Sequence, residues 1–327
     1  MQAVYSDRYQ IDLGLHVFPT AKYRLVAERL SRRPDITFVE PEPATWAQLA
    51  LVHTAEYLAK MRDGTLGETE LEQLELPWSV GMVDGFRLMV GGTIQAGLIA
   101  TGLEVRSSKL ERRSQSEVRS SKSEVRTASD FRLPTSDFHV VCHVGGGLHH
   151  AFPNHGEGFC PFNDVAVAAR VLQDRGLVRI AIVDLDVHHG NGTAFIFESD
   201  PRVFTVSMHQ QHNYPLWKPR STVDVGLPDG AHDATYLREL ERVLPQAMAH
   251  RPQCVFFLAG ADPYEDDQLG GLRLTRDGLR RRDRMVIETV RAAGVPMVVT
   301  LAGGYARRLD DTVAIHMATI EEAAANS

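Results

Sequence analysis

The sequence predicts an α/β protein: a single three-layer domain over residues 1–327, with a mostly parallel central sheet and helices on both faces. Three observations carry this. Short runs rich in Val, Ile and Phe alternate with longer helical segments, the pattern of a parallel sheet fed by crossover helices. The runs are apolar almost throughout, as strands covered on both faces are. Their ends lead into Gly, Asp, His, Ser and Tyr, and parallel sheets bind ligands beyond the carboxyl ends of their strands.

From the amino terminus, a helix is expected at Lys22–Leu30, a strand at Ile36–Val39 and a helix at Ala55–Met61. The apolar stretch Ser79–Ala100 is read as a helix, with Gly91-Gly92 either weakening it or marking a tight packing contact. Residues 103–130 break the pattern. EVRSSK occurs at 104–109 and 117–122 and SEVR recurs at 123–126, without a periodic apolar face, so a disordered surface insertion is expected. Strands then follow at Phe138–Val144, Val178–Asp184, Val203–Met208, Cys254–Ala259 and Met297–Leu301. Helices fill the gaps at Asn163–Arg175, Ala234–Ala249, Thr275–Ala292 and Asp310–Ala324.

Composition narrows the function. Lys plus Arg is 35 against 42 for Asp plus Glu, a net charge of −7, which argues against a dedicated nucleic-acid binder. Three cysteines, Cys142, Cys160 and Cys254, cannot make a disulfide framework, so a reducing, cytoplasmic compartment is expected. The start MQAVYSDRYQ lacks a signal pattern, and no run approaches the ~18 apolar residues of a membrane span, so no membrane association is expected. Oligomeric state has no signature.

Five strand ends point to one rim. They lead into GGGLHH (145–150), DLDVHHGNG (184–192), SMH (207–209), AGAD (259–262) and AGGY (302–305). Asp184, Asp186 and His188 alternate with Leu185 and Val187, which puts all three on one side of an extended segment. Two carboxylates and an imidazole form a ligand set suited to zinc, and also to iron or manganese. Asp262 from a neighbouring strand would complete an Asp2His site with an open position. The alternative for DxDxH alone is a salt-bridged strand end. His149 and His150 can supply a base and an acid or electrostatic partner, and Tyr305 a neutral hydrogen-bond donor for an oxyanion.

Together the strings GGGLHHA (145–151), GFCPFND (158–164), VDLDVHHGNGT (183–193), LAGADPYEDDQLGGLRLT (258–275) and LAGGYAR (301–307) resemble the zinc-dependent histone deacetylase superfamily, of the arginase–deacetylase fold. HGNG and the segment around Asp262 look most like the class IV branch and its bacterial relatives. The resemblance implies hydrolysis of an acyl-lysine amide, acetyl or longer, on a protein or peptide. One zinc ion would be held by Asp186, His188 and Asp262. His149 and His150 match the paired catalytic histidines, Tyr305 the transition-state tyrosine, and Asp184 the carboxylate behind His149. Asp184, Asp186 and His188, with Ser207 and Met208, match a site for a monovalent cation, potassium. Gly158 and Phe159 match the acyl-lysine tunnel and Leu269 its rim. Asn191 departs from many relatives, which carry an aspartate there; it cannot stabilise a His150 imidazolium by charge, so Asn191→Asp is expected to move the pH–rate profile. A deacetylase of acetylated polyamines or another small amide, and an inactive acyl-lysine-binding module, are the alternatives.

Overall fold

The computed structural model describes residues 1–103 and 139–327. The repeats, from Glu104 onward, lie outside them, as does Phe138. Among the described residues, eight strands form one sheet: β1 (Gln2–Val4), β2 (Thr37–Val39), β3 (Val140–His143), β4 (Ile180–Asp184), β5 (Val203–Gln210), β6 (Val223–Leu227), β7 (Cys254–Leu258) and β8 (Met297–Thr300). Their order is β2-β1-β3-β8-β7-β4-β5-β6, and every pairing is parallel. The sheet is therefore wholly parallel, beyond the mostly parallel expectation. β3, β4, β7 and β8 are buried at every position, which explains their unbroken apolar sequence.

Helices α1 (Ala21–Leu30), α8 (Asp233–Ala249), α9 (Arg276–Ala292) and α10 (Leu309–Ala325) pack in the row α1–α10–α9–α8. Helix α5 (Val80–Ala100) pairs with α6 (Asp164–Asp174) and lies against β1, β3 and β8. Gly91-Gly92 does not interrupt α5. A Cβ at Gly91 would overlap the Glu42 carbonyl, and one at Gly92 would overlap Tyr9 Oη and His143 Nε2. The pair marks the tight contact.

Two strands escape the sequence pattern. β1 is three residues long, too short for a periodicity. β6 is an edge strand, exposed at Asp224 and Gly226, and those residues read as loop. The described residues also form the short helices α2 (Trp46–Leu49), α3 (Ala55–Asp63), α4 (Glu68–Leu74) and α7 (Asn191–Phe197). Of these, α3 was legible, whereas α7 opens on Asn191-Gly192-Thr193, which reads as a turn. Among the described residues no helix is long and apolar enough to cross a membrane.

Candidate metal centre and its surroundings

β4 ends at Asp184, and Asp186 and His188 follow on a bend at 186–188 rather than on the extended segment expected; the loop after β7 carries Asp262. Asp186, His188 and Asp262 are buried, and one ligand atom from each lies within 4.8 Å of the others. His188 Nδ1 is 3.0 Å from Asp186 Oδ1 and 3.5 Å from Asp262 Oδ2. Backbone amides fix both carboxylates: Gly303 N donates to Asp186 Oδ2 (2.8 Å) and Val187 N to Asp262 Oδ1 (2.9 Å). Asp262 Oδ2 is buried without a hydrogen-bond partner. Only glycine fits at 303, since a Cβ there would overlap Asp262 Oδ2. An orphaned carboxylate oxygen, a second carboxylate and an imidazole nitrogen around one point fit a divalent cation with zinc-type ligands. Burial first, then the Asp186 charge, pushes Asp262 up to about 7. Two buried carboxylates of like charge favour a bound proton or cation between them.

His149 and His150 lie beside this cluster. His149 Nδ1 is 2.6 Å from Asp184 Oδ2, and His149 Nε2 is 3.1 Å from His150 Nε2. His150 Nδ1 donates to Asn191 Oδ1 at 2.7 Å. The Nε2···Nε2 contact needs one proton, and the His150 proton is already on Nδ1. His149 is therefore the donor and His150 the neutral acceptor. The electrostatics agree. Burial opposes charge on His149, but Asp184 and Asp186 more than offset it and hold the group at about 9. Burial, then the charges of His149 and His188, depresses His150 well below its ordinary value.

Tyr305 lines two cavities that meet at His150 and His188. The inner one, about 20 Å3, is walled by Phe18, Tyr23, Gly146 and Gly147. The outer one, about 190 Å3, is lined by Gly158, Phe159, Leu269, Asn213, Tyr214 and Glu75. The three residues expected at the tunnel therefore line one passage. Ser207 is paired in register with Asp184 across β4 and β5, so the two segments expected to hold a monovalent cation are neighbours. On the other side of the His188 segment, His189, His209 and Asp224 form a second imidazole–carboxylate group. There His189 Nε2 bonds Asp224 Oδ1 and His209 Nδ1 bonds Ser207 Oγ, both at 3.1 Å.

Several contributors were not singled out in the sequence, although Asp164 and Asp267 lie inside strings that were. Lys22 is wholly buried behind Tyr305 and donates to the Ala302 carbonyl at 2.7 Å. Burial lowers it to about 8, although Asp262, Asp186 and Asp267 pull the other way. Asp267 accepts from Tyr305 N (2.7 Å) and Leu269 N (2.8 Å), joining tyrosine to rim. Asp164 accepts from Gly147 N (3.0 Å) and Leu148 N (2.7 Å) and so fixes the loop before His149. Behind it, Thr93 Oγ1 donates to Asp164 Oδ2 (2.5 Å), His143 Nδ1 donates to Thr93 Oγ1 (2.9 Å), and Tyr9 Oη donates to His143 Nε2 (2.8 Å).

That network has a pH consequence. Burial lowers His143 to about 3 in the folded protein. Between that value and the ~6.5 of an unfolded histidine, the unfolded chain binds the extra proton, so stability from His143 is present above pH ~6.5 and is lost as pH falls. His143→Gln is expected to flatten the acid-side slope of stability by up to ~1.4 kcal/mol per pH unit. Urea midpoints from pH 7 to 4 measure it; an unchanged slope would contradict the assignment.

A wholly parallel sheet with carboxylates and histidines converging at its carboxyl edge defines an α/β protein with a possible metal site. The chain belongs to the histone deacetylase family: the profile described as "Histone deacetylase domain" matches residues 16–320. An uncharacterized protein of Picosynechococcus sp. is 39% identical over 307 residues, which cover 92% of this chain and 90% of that protein. Histone deacetylase 2 of Arabidopsis thaliana is 28% identical over 320 residues, 92% of this chain and 74% of that protein. The crystal structure of the HDA15 HD domain has the same fold, with a TM-score of 0.73, 24% identity, and coverage of 98% of this chain and 90% of that chain. The family and its deacetylase relatives make the protein a deacetylase-type hydrolase.

Proposed function

We propose that the protein is a zinc-dependent deacylase that removes a short acyl group, acetyl foremost, from the side-chain amide of lysine in a protein or peptide, in a reducing cytoplasm. The observation that carries this is the orphaned Asp262 Oδ2 facing His188 and Asp186 beside a hydrogen-bonded histidine pair. A zinc ion held by Asp186, His188 and Asp262 would supply Lewis acidity to the amide carbonyl and to water. His150 takes the proton of the attacking water at Nε2, the lone pair that accepts from His149 in the resting site, because its Nδ1 proton is committed to Asn191. It then returns that proton to the leaving amine. His149, held cationic by Asp184, keeps positive charge beside the developing oxyanion, and the Tyr305 hydroxyl donates to it. Asp184, Asp186 and His188, with Ser207 and Met208, would hold a structural potassium ion.

Acyl length follows from the inner cavity. Its ~20 Å3 is room for about one water, which favours the methyl of an acetyl group over a fatty chain. A second reading, an acetylated polyamine, draws on Glu75, an acidic residue among those lining the outer cavity.

The test is one zinc-loaded preparation. Acetate release from an acetyl-lysine peptide should vanish with a chelator and return with zinc. Octanoyl-lysine should be cleaved at least ~10-fold less efficiently than acetyl-lysine. Equal or better cleavage of the long chain would refute the short-acyl assignment, and a preference for acetylated polyamines would favour the second reading.

A further inference from the structure

Asn191 has a choice that a carboxylate lacks. With Oδ1 toward His150 it accepts from Nδ1–H and leaves the lone pair on Nε2. With Nδ2 toward His150 it donates to Nδ1 and forces the ring proton onto Nε2, where no base then faces the site. The two orientations have the same shape, so packing cannot decide between them.

We infer that Glu157, a residue with no assigned role, is the positioning residue that decides it. Glu157 Oε1 lies 2.6 Å from Asn191 Nδ2. An ionised carboxylate only accepts hydrogen bonds, so it holds the NH2 end of the amide and turns Oδ1 to His150. The carboxylate is itself held from three directions. Oε1 also accepts from Tyr214 Oη (3.0 Å), and Oε2 from Gln73 Nε2 (3.1 Å) and His155 Nε2 (3.3 Å). These bonds keep Glu157 ionised although its side chain is only 13% exposed. The negative charge that Asn191 lacks is thus placed one hydrogen bond further out, in the chain His150–Asn191–Glu157.

The same residue shapes the tunnel. Glu157 N donates to Cys160 O (3.1 Å) and Cys160 N to Glu157 O (2.9 Å), closing a two-residue turn. Its central residues, Gly158 and Phe159, have φ of +51° and +66°, as such a turn requires. One side chain and its backbone therefore link the tunnel wall to the orientation of the base.

The inference rests on His150 being the base, and its test separates the two ideas. Four zinc-loaded proteins are compared: wild type, Glu157→Gln, Asn191→Asp and the double exchange. With acetyl-lysine peptide, Glu157→Gln should lower kcat about 10-fold or more with KM nearly unchanged. Asn191→Asp alone should also lose activity, because it sets two carboxylates at hydrogen-bond distance. The double exchange restores one carboxylate and one amide in swapped order, and should recover to within about threefold of wild type, a coupling that independent sites do not give. A double no better than the worse single, or a Glu157→Gln effect confined to KM, would reduce Glu157 to a wall of the tunnel. The imidazole tautomer is read separately by 15N NMR, with His150→Gln to assign the signals. The wild-type His150 proton should sit on Nδ1, and should shift toward Nε2 in Glu157→Gln. A wild-type ring protonated on Nε2 overturns the inference. The NMR result as inferred, with no hydrolysis of any acyl amide, would instead overturn the proposed function.

Discussion

Tyr305→Phe is expected to lower kcat about 100-fold to 1,000-fold, the usual cost of one oxyanion donor, while metal content, folding and KM stay near those of the parent. Removing the hydroxyl should leave the ring in place. Phe18, Phe159 and His188 surround it at centroid distances of 6.3, 6.1 and 6.5 Å, and the backbone nitrogen is tied to Asp267. Burial, then the charges of Asp186 and Asp262, pushes the phenol well above its ordinary value. It therefore remains a protonated donor at any pH the enzyme works in. Because the bond to an oxyanion exists only in the transition state, kcat and kcat/KM should fall together. Full activity in the variant would remove Tyr305 from the mechanism, and a fall confined to KM would make it a wall of the passage.

Much of this centre was legible because its chemistry sits on strand ends. The alternation Asp184, Asp186, His188 pointed to a common cluster, but the chain bends at 186–188, so Asp186 and His188 meet Asp262 while Asp184 turns to His149. A run of apolar residues ending in Asp or His is a local pattern, so sequence suffices. The residues that escaped reach the site across the fold. Lys22 belongs to a helix face that reads as core, and nothing near it in sequence signals the carbonyl of Ala302 280 residues away. Glu157 meets Asn191 only because the turn at 157–160 docks against the start of α7. The one available sign was a charged residue inside the otherwise small and apolar string GEGFC. Reading Asn191 as a missing charge leaves out its second neighbour: Asn191→Asp meets Glu157, so the single substitution tests a pair.

Asp262→Asn should abolish metal-dependent activity and, at the same time, stabilise the metal-free protein. Asp262 is fully buried, its Oδ1 engaged by Val187 N and its Oδ2 without a partner. An unsatisfied buried polar atom costs ~1–3 kcal/mol, and the neighbouring Asp186 carboxylate adds repulsion. Asparagine keeps the shape, retains an acceptor for Val187 N and offers an NH2 to a carboxylate, so both penalties fall. The same exchange removes one of three anionic or imidazole ligands, and weakening by at least ~100-fold is expected, beyond what loss of a supporting partner costs. Thermal melts of chelated protein should place the variant above the parent, and zinc titration should raise the parent's Tm and leave the variant's almost still. The two readouts constrain each other. If the chelated variant melts below its parent, Asp262 serves the fold and its orphaned oxygen marks no cation. If it melts higher yet still takes up zinc with parental affinity, the cation is held elsewhere, and the Asp186–His188–Asp262 triad is not the metal centre.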